Sequence, residues 1–333
     1  MSFMLVERRD PERTDARPPV RERRVAEPGP RSACLDIGLL NNMPDAALQA
    51  AERQFMSLLA IAAGSRPVRL HFYSLAAIPR GPEAEAHIAR LYADIAGLPA
   101  RDLDGLFVTG SEPRAPKLDA EPYWPALTRV IEWAADHTGS TVWSCLAAHA
   151  AVLHFDGIER QPLPQKCFGV FESVRAGADL ILAGAPERPR IPHSRHNGLD
   201  AAELVARGYR VVTRAAGAGV DIFTRQEKSR FVFFQGHPEY DATSLAREYR
   251  RDVGRYLRGE RDALPPLPAG YFPPETEAAM AAFAAHAARH RDPALLAAFP
   301  DDAPAPEASW RTTAVPLFRN WLAGIAIAKA GTR

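Results

Sequence analysis

Short apolar runs alternate with amphipathic stretches through the first half of the chain. The apolar runs, which predict buried strands, lie at 34–40, 68–75, 105–110 and 140–145. The amphipathic stretches, which predict helices, lie at about 46–63, 82–96, 123–137 and 146–155, with Asp45 as the predicted N-cap of the first. This alternation predicts an α/β fold with a doubly wound, mostly parallel sheet flanked by helices.

The pattern changes after about residue 160. Short apolar runs joined by turns predict a mixed-strand extension at 168–174, 209–215, 220–225 and 230–236. Helices are predicted at about 242–257, 275–290 and 315–328. The Ala-rich segment at about 274–300 is interpreted as a helical insertion in a single domain that spans 34–328.

Residues 1–33 lack apolar periodicity and carry eight arginines, six acids and several prolines. This composition predicts a mobile arm ahead of the domain. The acids nearly cancel the arginines, and the whole chain of 333 residues has a formal net charge of +1. A protein that binds nucleic acid through its phosphates needs a clear cationic excess, so we expect no nucleic-acid partner.

Other composition features narrow the class further. No apolar run approaches the roughly 20 residues of a membrane span, and the first residues lack the apolar core of a signal peptide. Three cysteines are too few for a disulfide framework. We therefore expect a cytoplasmic protein with reduced thiols and no membrane contact.

The strongest local candidate for chemistry is Cys145, which stands where a predicted strand meets a helix of small residues. A tight strand-to-helix turn exposes a nucleophile, and the positive end of the following helix favours a thiolate. Backbone N–H groups at that helix start can also receive a developing oxyanion. The alternative at this point is a buried cysteine that acts only as a small hydrophobic side chain.

A second candidate follows the apolar run that ends at Gly236. His237 and Glu239 stand two residues apart in an extended segment, so their side chains start on the same side. Glu239 can then orient the imidazole and stabilise its charged form, which completes a nucleophile, base and orienter set with Cys145. A polar surface turn is the alternative for this segment.

Metal and nucleotide sites are not indicated. The ten histidines are scattered, there is no CxxC, and neither GxGxxG nor GxxxxGK[ST] occurs. His193 and His196 are predicted to lie in a loop that suits ligand binding. We expect neither a metal nor a bound cofactor.

Several motifs recur in the order of a known family. They are GLLNNMP, GLFVTGSEP with PYW, the cysteine at the strand end, PHSR, GHPEYD with RDV, ASWR and FRNWL. From about residue 35 to 325 the chain resembles the homoserine O-succinyltransferase or O-acetyltransferase family, which has a class I glutamine-amidotransferase-like fold. The resemblance implies an acyl-CoA-dependent O-acyltransferase of methionine biosynthesis that uses no cofactor beyond its acyl-CoA co-substrate, and it suggests a homodimer.

The resemblance also implies roles for individual residues. Cys145 would form an acyl-enzyme from the thioester, His237 would be the general base, and Glu239 would orient it. Lys166 matches a substrate-binding lysine and Ser194 a position that helps set substrate choice. Arg251 matches the residue that pairs with the carboxylate of L-homoserine, a task that suits a fork-shaped guanidinium.

The sequence departs from the family pattern at two places. The family usually has a lysine shortly after its MetPro. Here residues 45–48 contain no basic side chain, and the nearest basic residue is Arg53. Arg114 occupies the position that selects the acyl donor, four residues after Gly110. An arginine there can pair with the free carboxylate of a succinyl group, so succinyl-CoA is favoured as donor, and solvent exposure of Arg114 is the alternative.

Other functions stay open on the sequence. The same chemistry accommodates an acetyl donor or a serine-like acceptor. A glutamine-amidotransferase-like hydrolase shares the fold and the Cys-His-Glu set, although the segment 144–147 lacks the glycines that usually flank such a nucleophile. A binding protein without catalytic activity is the non-enzymatic alternative.

Overall fold

A computed structural model describes residues 4–6, 34–301, 304 and 306–331 of the chain. Its strands, in chain order, are β1 (Met4–Val6), β2 (Leu35–Leu40), β3 (Val68–Tyr73), β4 (Gly105–Val108), β5 (Ser140–Ser144), β6 (Gln161–Arg175), β7 (Arg190–Gly198), β8 (Arg210–Val211), β9 (Thr213–Ala215), β10 (Gly219–Val220), β11 (Ile222–Gln226) and β12 (Arg230–Phe234). Its α-helices are α1 (Asp45–Ala63), α2 (Pro82–Leu91), α3 (Trp124–His137), α4 (Leu146–Asp156), α5 (Ala201–Ala206), α6 (Ser244–Leu257), α7 (Pro274–Arg289) and α8 (Arg311–Gly331).

The main sheet has eight strands in the order β1-β3-β2-β4-β5-β12-β11-β8. All pairs from β1 to β12 in that order are parallel, and the pairs β12–β11 and β11–β8 are antiparallel. Buried strands at the centre of a parallel sheet need apolar residues on both faces, which explains the continuous apolar runs of the sequence. The prediction of a doubly wound, mostly parallel sheet is confirmed.

Helices cover both faces of this sheet. Leu39 and Leu40, neighbours on β2, point into separate cores. Helices α1 and α8 contribute apolar side chains such as Phe55 and Phe318 to one core, and α3 and α4 contribute side chains such as Ile131 to the other. Successive strand residues face opposite sides of a sheet, so each face buries its own helix layer.

A second, four-stranded sheet has the order β10-β9-β6-β7 and is antiparallel. It confirms the expected mixed-strand extension in the second half. The prediction of a loop at His193 and His196 is wrong, because both residues lie on β7, which pairs with β6 along most of its length. The strand escaped detection because polar residues, His193 and Arg195, occupy its buried positions.

The bounds of several helices differ from those predicted. Asp45 is the first residue of α1 rather than its N-cap, because its carboxylate accepts a hydrogen bond from the Gly81 N–H at 2.7 Å. Helix α2 ends at Leu91 instead of about 96, and α8 begins at Arg311, four residues before the predicted start.

The segment at 274–300 forms α7 and a short 3-10 helix. Its apolar side chains pack on one face of α6, where Phe283 and Phe299 lie near Tyr249. The segment therefore supports α6 from behind. The predicted arm at 1–33 lies outside the described residues except for 4–6, and these three pair with β3 as an edge strand instead of lying apart from the fold.

Candidate active site

A cavity of about 500 Å³ opens at the carboxyl ends of β4, β5 and β12. Ligand sites in open parallel sheets gather at this edge. The residues that line the cavity are Met43, Pro44, Gly110, Ser111, Glu112, Pro113, Cys145, Leu146, Lys166, Ser194, His196, His237, Tyr240, Glu248, Arg251, Asp252, Arg255, Glu260 and Arg261. All of the predicted catalytic and substrate-binding residues except Glu239 and Arg114 therefore line one cavity.

Cys145 occupies a strained turn between β5 and α4. Its φ of 51° is the one positive φ among the described non-glycine residues, and its N–H donates to the Phe234 carbonyl at 2.7 Å. Such a conformation costs about 1–3 kcal/mol and persists only where the surroundings enforce it. The buried small residues Ala147 and Ala148 let α4 start close against the sheet, so the turn holds the Cys145 side chain toward the cavity.

His237 follows the neighbouring strand of the sheet. The β5–β12 register pairs Ser144 with Phe234, so the two chains leave the sheet at the same level. The loop then passes tightly over β7, since a Cβ on Gly236 would lie 2.6 Å from the Pro192 carbonyl oxygen. The His237 N–H donates to that same oxygen at 2.7 Å. Register and glycine together bring the imidazole beside Cys145.

Glu239 completes the set from behind the imidazole, with 2.8 Å between its Oε1 and Nδ1 of His237. Both side chains are buried. Burial lowers the pKa of an imidazole, but the charges of Glu239 and Cys145, with hydrogen bonds to both, outweigh it and raise the pKa of His237 well above 6.5. We call Cys145, His237 and Glu239 the strand-end wall.

Tyr240 covers one face of the His237 imidazole. Its ring stacks on His237 with 4.3 Å between centroids and 14° between planes. The Tyr240 carbonyl accepts the indole N–H of Trp310 at 2.8 Å, so the segment before α8 holds this loop. The Tyr240 hydroxyl donates to Glu248 Oε1 at 2.5 Å. Burial and the Glu248 charge raise the pKa of Tyr240 well above its usual 10, which keeps the hydroxyl a donor.

The opposite side of the cavity is built by β6, β7 and α6. We call its residues Lys166, Ser194, Glu248, Arg251 and Asp252 the helix wall. Lys166 Nζ lies 2.8 Å from Asp252 Oδ2 and 3.8 Å above the centre of the Phe168 ring. The Ser194 hydroxyl donates to Glu248 Oε2.

Helix α6 presents a stripe of charged residues to this cavity. Glu248, Arg251, Asp252 and Arg255 follow each other at helical spacing, so they share one face. Arg251 Nε and Nη2 each lie 3.0 Å from Asp252 Oδ1. Burial raises the pKa of a carboxyl, but the charges of Lys166 and Arg251 outweigh it and lower the pKa of Asp252. Asp252 is therefore a buried carboxylate that holds the cations of the wall in place.

Arg114 is not brought into the cavity. The N–H groups of Arg114 and Ala115 donate to one oxygen of buried Glu121 at 2.6 and 2.7 Å, which fixes the loop. The Arg114 side chain is left exposed and does not line the cavity. Glu112, two residues earlier, does, and its Oε1 lies 3.0 Å from Arg255 Nη1.

Three further predicted positions can be located. Arg53 is exposed and outside the cavity, so it does not stand in for the family lysine, whereas Met43 and Pro44 of the same region line it. On β7, His196 lines the cavity, while His193 is buried with its Nε2 at 3.2 Å from Asp221 Oδ1. Only one of the two histidines therefore faces the candidate site.

Sequence reasoning missed Tyr240, Glu248, Asp252, Arg255 and Arg261. The stripe on α6 was available as a signal, because acids and bases at a spacing of three and four residues share one face of a helix. Such stripes usually face water, and only β6 and β7 packed opposite turn this one into a cavity wall. The phenol of Tyr240 had no pattern to mark it.

Among the described residues, no helix is long and apolar enough to cross a membrane. Within the same residues, no three His, Cys, Asp or Glu side chains form a group that could hold a metal ion.

Comparisons with known proteins agree on one family. The model of the family "Homoserine O-succinyltransferase" matches residues 22–329. A homoserine O-succinyltransferase of Rhodopseudomonas palustris is 54% identical over 294 residues, which cover 88% of each chain. One of Bradyrhizobium japonicum is 50% identical and covers 88% of this chain and 90% of its own.

Similar solved structures include glutamine amidotransferases of Thermotoga maritima and Methylobacillus flagellatus. They are 12% and 15% identical, each match covers 88% of this chain and 98% and 95% of theirs, and the TM-scores are 0.47 and 0.48. These scores are low, and the assignment rests on the sequence matches alone. On those matches, the chain belongs to the homoserine O-succinyltransferase family.

Proposed function

We propose that the protein transfers the succinyl group of succinyl-CoA to the hydroxyl of L-homoserine, through an acyl-enzyme on Cys145. The observation that carries the proposal is the strand-end wall, in which a strained cysteine lies beside an imidazole that is hydrogen-bonded to a carboxylate, at the edge of a cavity. This is the arrangement that activates a thiol nucleophile.

The first half-reaction begins at the sulfur. The Cys145 thiolate attacks the thioester carbonyl carbon, a C–S bond forms, and the bond from that carbon to the CoA sulfur breaks. His237, which holds the proton in its charged form, gives it to the departing CoA thiolate. The raised pKa of His237 supports this role because the imidazole then carries the proton that it donates.

The oxyanion of this step needs backbone donors. The Leu146 N–H stands at the start of α4, where the first N–H groups of a helix lack partners within it. A Cβ on Gly110 would lie 3.2 Å from the Leu146 nitrogen, so the absence of a side chain there leaves that N–H open to the cavity. We assign the oxyanion to this corner.

The second half-reaction regenerates the cysteine. His237 takes the hydroxyl proton of homoserine, the oxygen attacks the acyl carbon, and the bond to the Cys145 sulfur breaks as the ester forms. For the acceptor, Arg251 offers a guanidinium to the carboxylate and Glu248 a carboxylate to the ammonium. Lys166 and Asp252 keep these two groups positioned.

The test is CoA release from succinyl-CoA with L-homoserine. We expect release by the wild type and none above background for Cys145→Ala, while the mass of the wild-type protein mixed with succinyl-CoA alone rises by one succinyl group. Cys34→Ala is the matched control, because Cys34 is a buried cysteine that does not line the cavity.

Each other result contradicts a defined part of the proposal. Release only with acetyl-CoA would overturn the donor, and release only with serine would overturn the acceptor. Glutamine hydrolysis without CoA would point to an amidotransferase-like hydrolase. The family resemblance also leads us to propose a homodimer, which light scattering on the full chain measures.

A further inference from the structure

We propose that Arg255 binds the distal carboxylate of the succinyl donor. Arg251 and Arg255 would then hold the two carboxylates of the product from consecutive turns of one helix. The proposal rests on the proposed function and adds the residue that recognises the donor.

A succinyl thioester differs from an acetyl thioester by a free carboxylate. A carboxylate that enters a cavity loses its hydration and needs a cation or several donors in return. The sequence assigns this task to Arg114, but the side chain of Arg114 is exposed outside the cavity. Another cation or a set of hydrogen-bond donors is then needed to meet the carboxylate.

Arg255 stands opposite the loop that contains position 114. It lines the cavity, and its Nη1 lies 3.0 Å from Oε1 of Glu112, two residues before Arg114. The guanidinium of Arg255 therefore reaches the place where the loop meets the cavity, although the side chain of Arg114 does not.

The other cations of the cavity are engaged elsewhere. Lys166 and Arg261 both bind Asp252 Oδ2, at 2.8 and 3.2 Å, and Lys166 also lies over the Phe168 ring. Arg251 binds the other oxygen of that buried carboxylate. Arg255 instead pairs with Glu112, whose side chain is 51% exposed. An exposed ion pair is weak, so an incoming carboxylate can take the place of Glu112 at little cost.

The spacing on α6 fits a product with two carboxylates. Arg251 and Arg255 share the face of α6 that lines the cavity, and four residues advance a helix by about 6 Å. The acceptor carboxylate at Arg251 and the donor carboxylate at Arg255 are joined through the flexible chain of the ester. Two forked guanidiniums can thus fix both ends of the molecule.

The experiment compares two acyl donors of the same length. Butyryl-CoA carries a methyl group where succinyl-CoA carries its carboxylate. For Arg255→Met we expect kcat/KM for succinyl-CoA to fall about 10- to 100-fold, and kcat/KM for butyryl-CoA to change less than about threefold. Arg250→Met is the matched control, because Arg250 lies on the same helix, pairs with Asp301 and does not line the cavity.

A second variant keeps the test independent of losses in folding. Glu112→Gln removes the competing carboxylate, and we expect it to raise kcat/KM for succinyl-CoA without raising that for butyryl-CoA. Equal losses on both donors in Arg255→Met, or no loss, would overturn the proposal. A selective loss in Arg114→Met instead would return the role to Arg114. If the wild type releases no CoA from succinyl-CoA with homoserine, the proposed function itself fails before the variants are compared.

Discussion

Neighbouring parallel strands bring Cys145 and His237 together, whereas Lys166, Ser194 and Arg251 reach the opposite side of the cavity from three elements. On the strand-end wall, backbone register and a strained turn fix the groups. On the helix wall, a network of charges around Asp252 fixes them. The difference suggests that the first wall tolerates almost no change in its reacting groups, while the second gives graded losses in binding.

The largest effect is expected when the base of the strand-end wall is removed. His237→Asn keeps a polar side chain but cannot shuttle a proton, so we expect kcat to fall about 10³- to 10⁴-fold. Steady-state CoA release measures the loss, and the circular dichroism of the variant checks its fold. A loss below tenfold would contradict the assignment of the base.

A smaller effect is expected from the orienting carboxylate. Glu239→Gln removes a charge that raises the pKa of His237, so that pKa falls. The neutral imidazole needed to accept the homoserine proton then exists at lower pH, and the midpoint of the rising limb of kcat against pH moves to lower pH. We also expect kcat to fall about 100-fold, since the imidazolium is less stabilised. An unchanged midpoint would show that Glu239 does not act through His237.

On the helix wall the expected losses appear in KM. Arg251→Gln removes the charged partner of the acceptor carboxylate, so we expect KM for homoserine to rise about 10- to 100-fold with a smaller change in kcat. Initial rates at saturating succinyl-CoA separate the two constants. A loss confined to kcat would make Arg251 part of the chemistry and erase the contrast between the walls.

The smallest effect on turnover is expected for a change at His149, which lies on α4 behind the strand-end wall and contributes to stability. Nε2 of His149 on α4 lies 2.9 Å from Oε1 of Gln235, and burial lowers the pKa of His149 to about 4. Above pH 6.5 the imidazole is neutral in both the folded and the unfolded chain, and its burial carries no charge penalty. As the pH falls from 6.5 toward 4, the unfolded chain takes up a proton that the folded chain does not, so the free energy of unfolding decreases. Between pH 7 and pH 5 the loss is about 2 kcal/mol.

His149→Gln tests this contribution, because glutamine does not titrate. Urea unfolding at both pH values should show a drop in the free energy of unfolding that is about 2 kcal/mol smaller for the variant than for the wild type. Equal drops would mean that His149 is already charged in the fold or reached by water.

The sequence predicted the residues of the strand-end wall well because a local pattern marks each of its two turns, although the pairing of β5 with β12 is what brings the turns together. An apolar run followed by small residues marks the turn at Cys145, and a run that ends at Gly236 marks the loop of His237. The helix wall was only partly predictable. On β7, the polar residues His193 and Arg195 take buried positions beside Ile191, so the strand lacks the apolar periodicity that would reveal it.

Arg114 shows a different limit. The motif gives its position along the chain, but the direction of its side chain depends on Glu121, which binds the loop from a separate turn. A hydrogen bond from a backbone N–H to a carboxylate six or seven residues away follows no helix or strand periodicity. Residue identity at a matched position therefore did not determine whether the side chain meets the ligand.

The bond from Trp310 to the Tyr240 carbonyl has a consequence for biosynthesis. Trp310 immediately precedes α8, and Phe318 of that helix packs against Phe107 and Phe234 beneath the strand ends. On the ribosome these residues are made after every other element of the site, so a nascent chain that has already grown past His237 still lacks the support of its catalytic loop. In an unfinished chain, the Cys145 thiol therefore lacks the positioned imidazole that activates it.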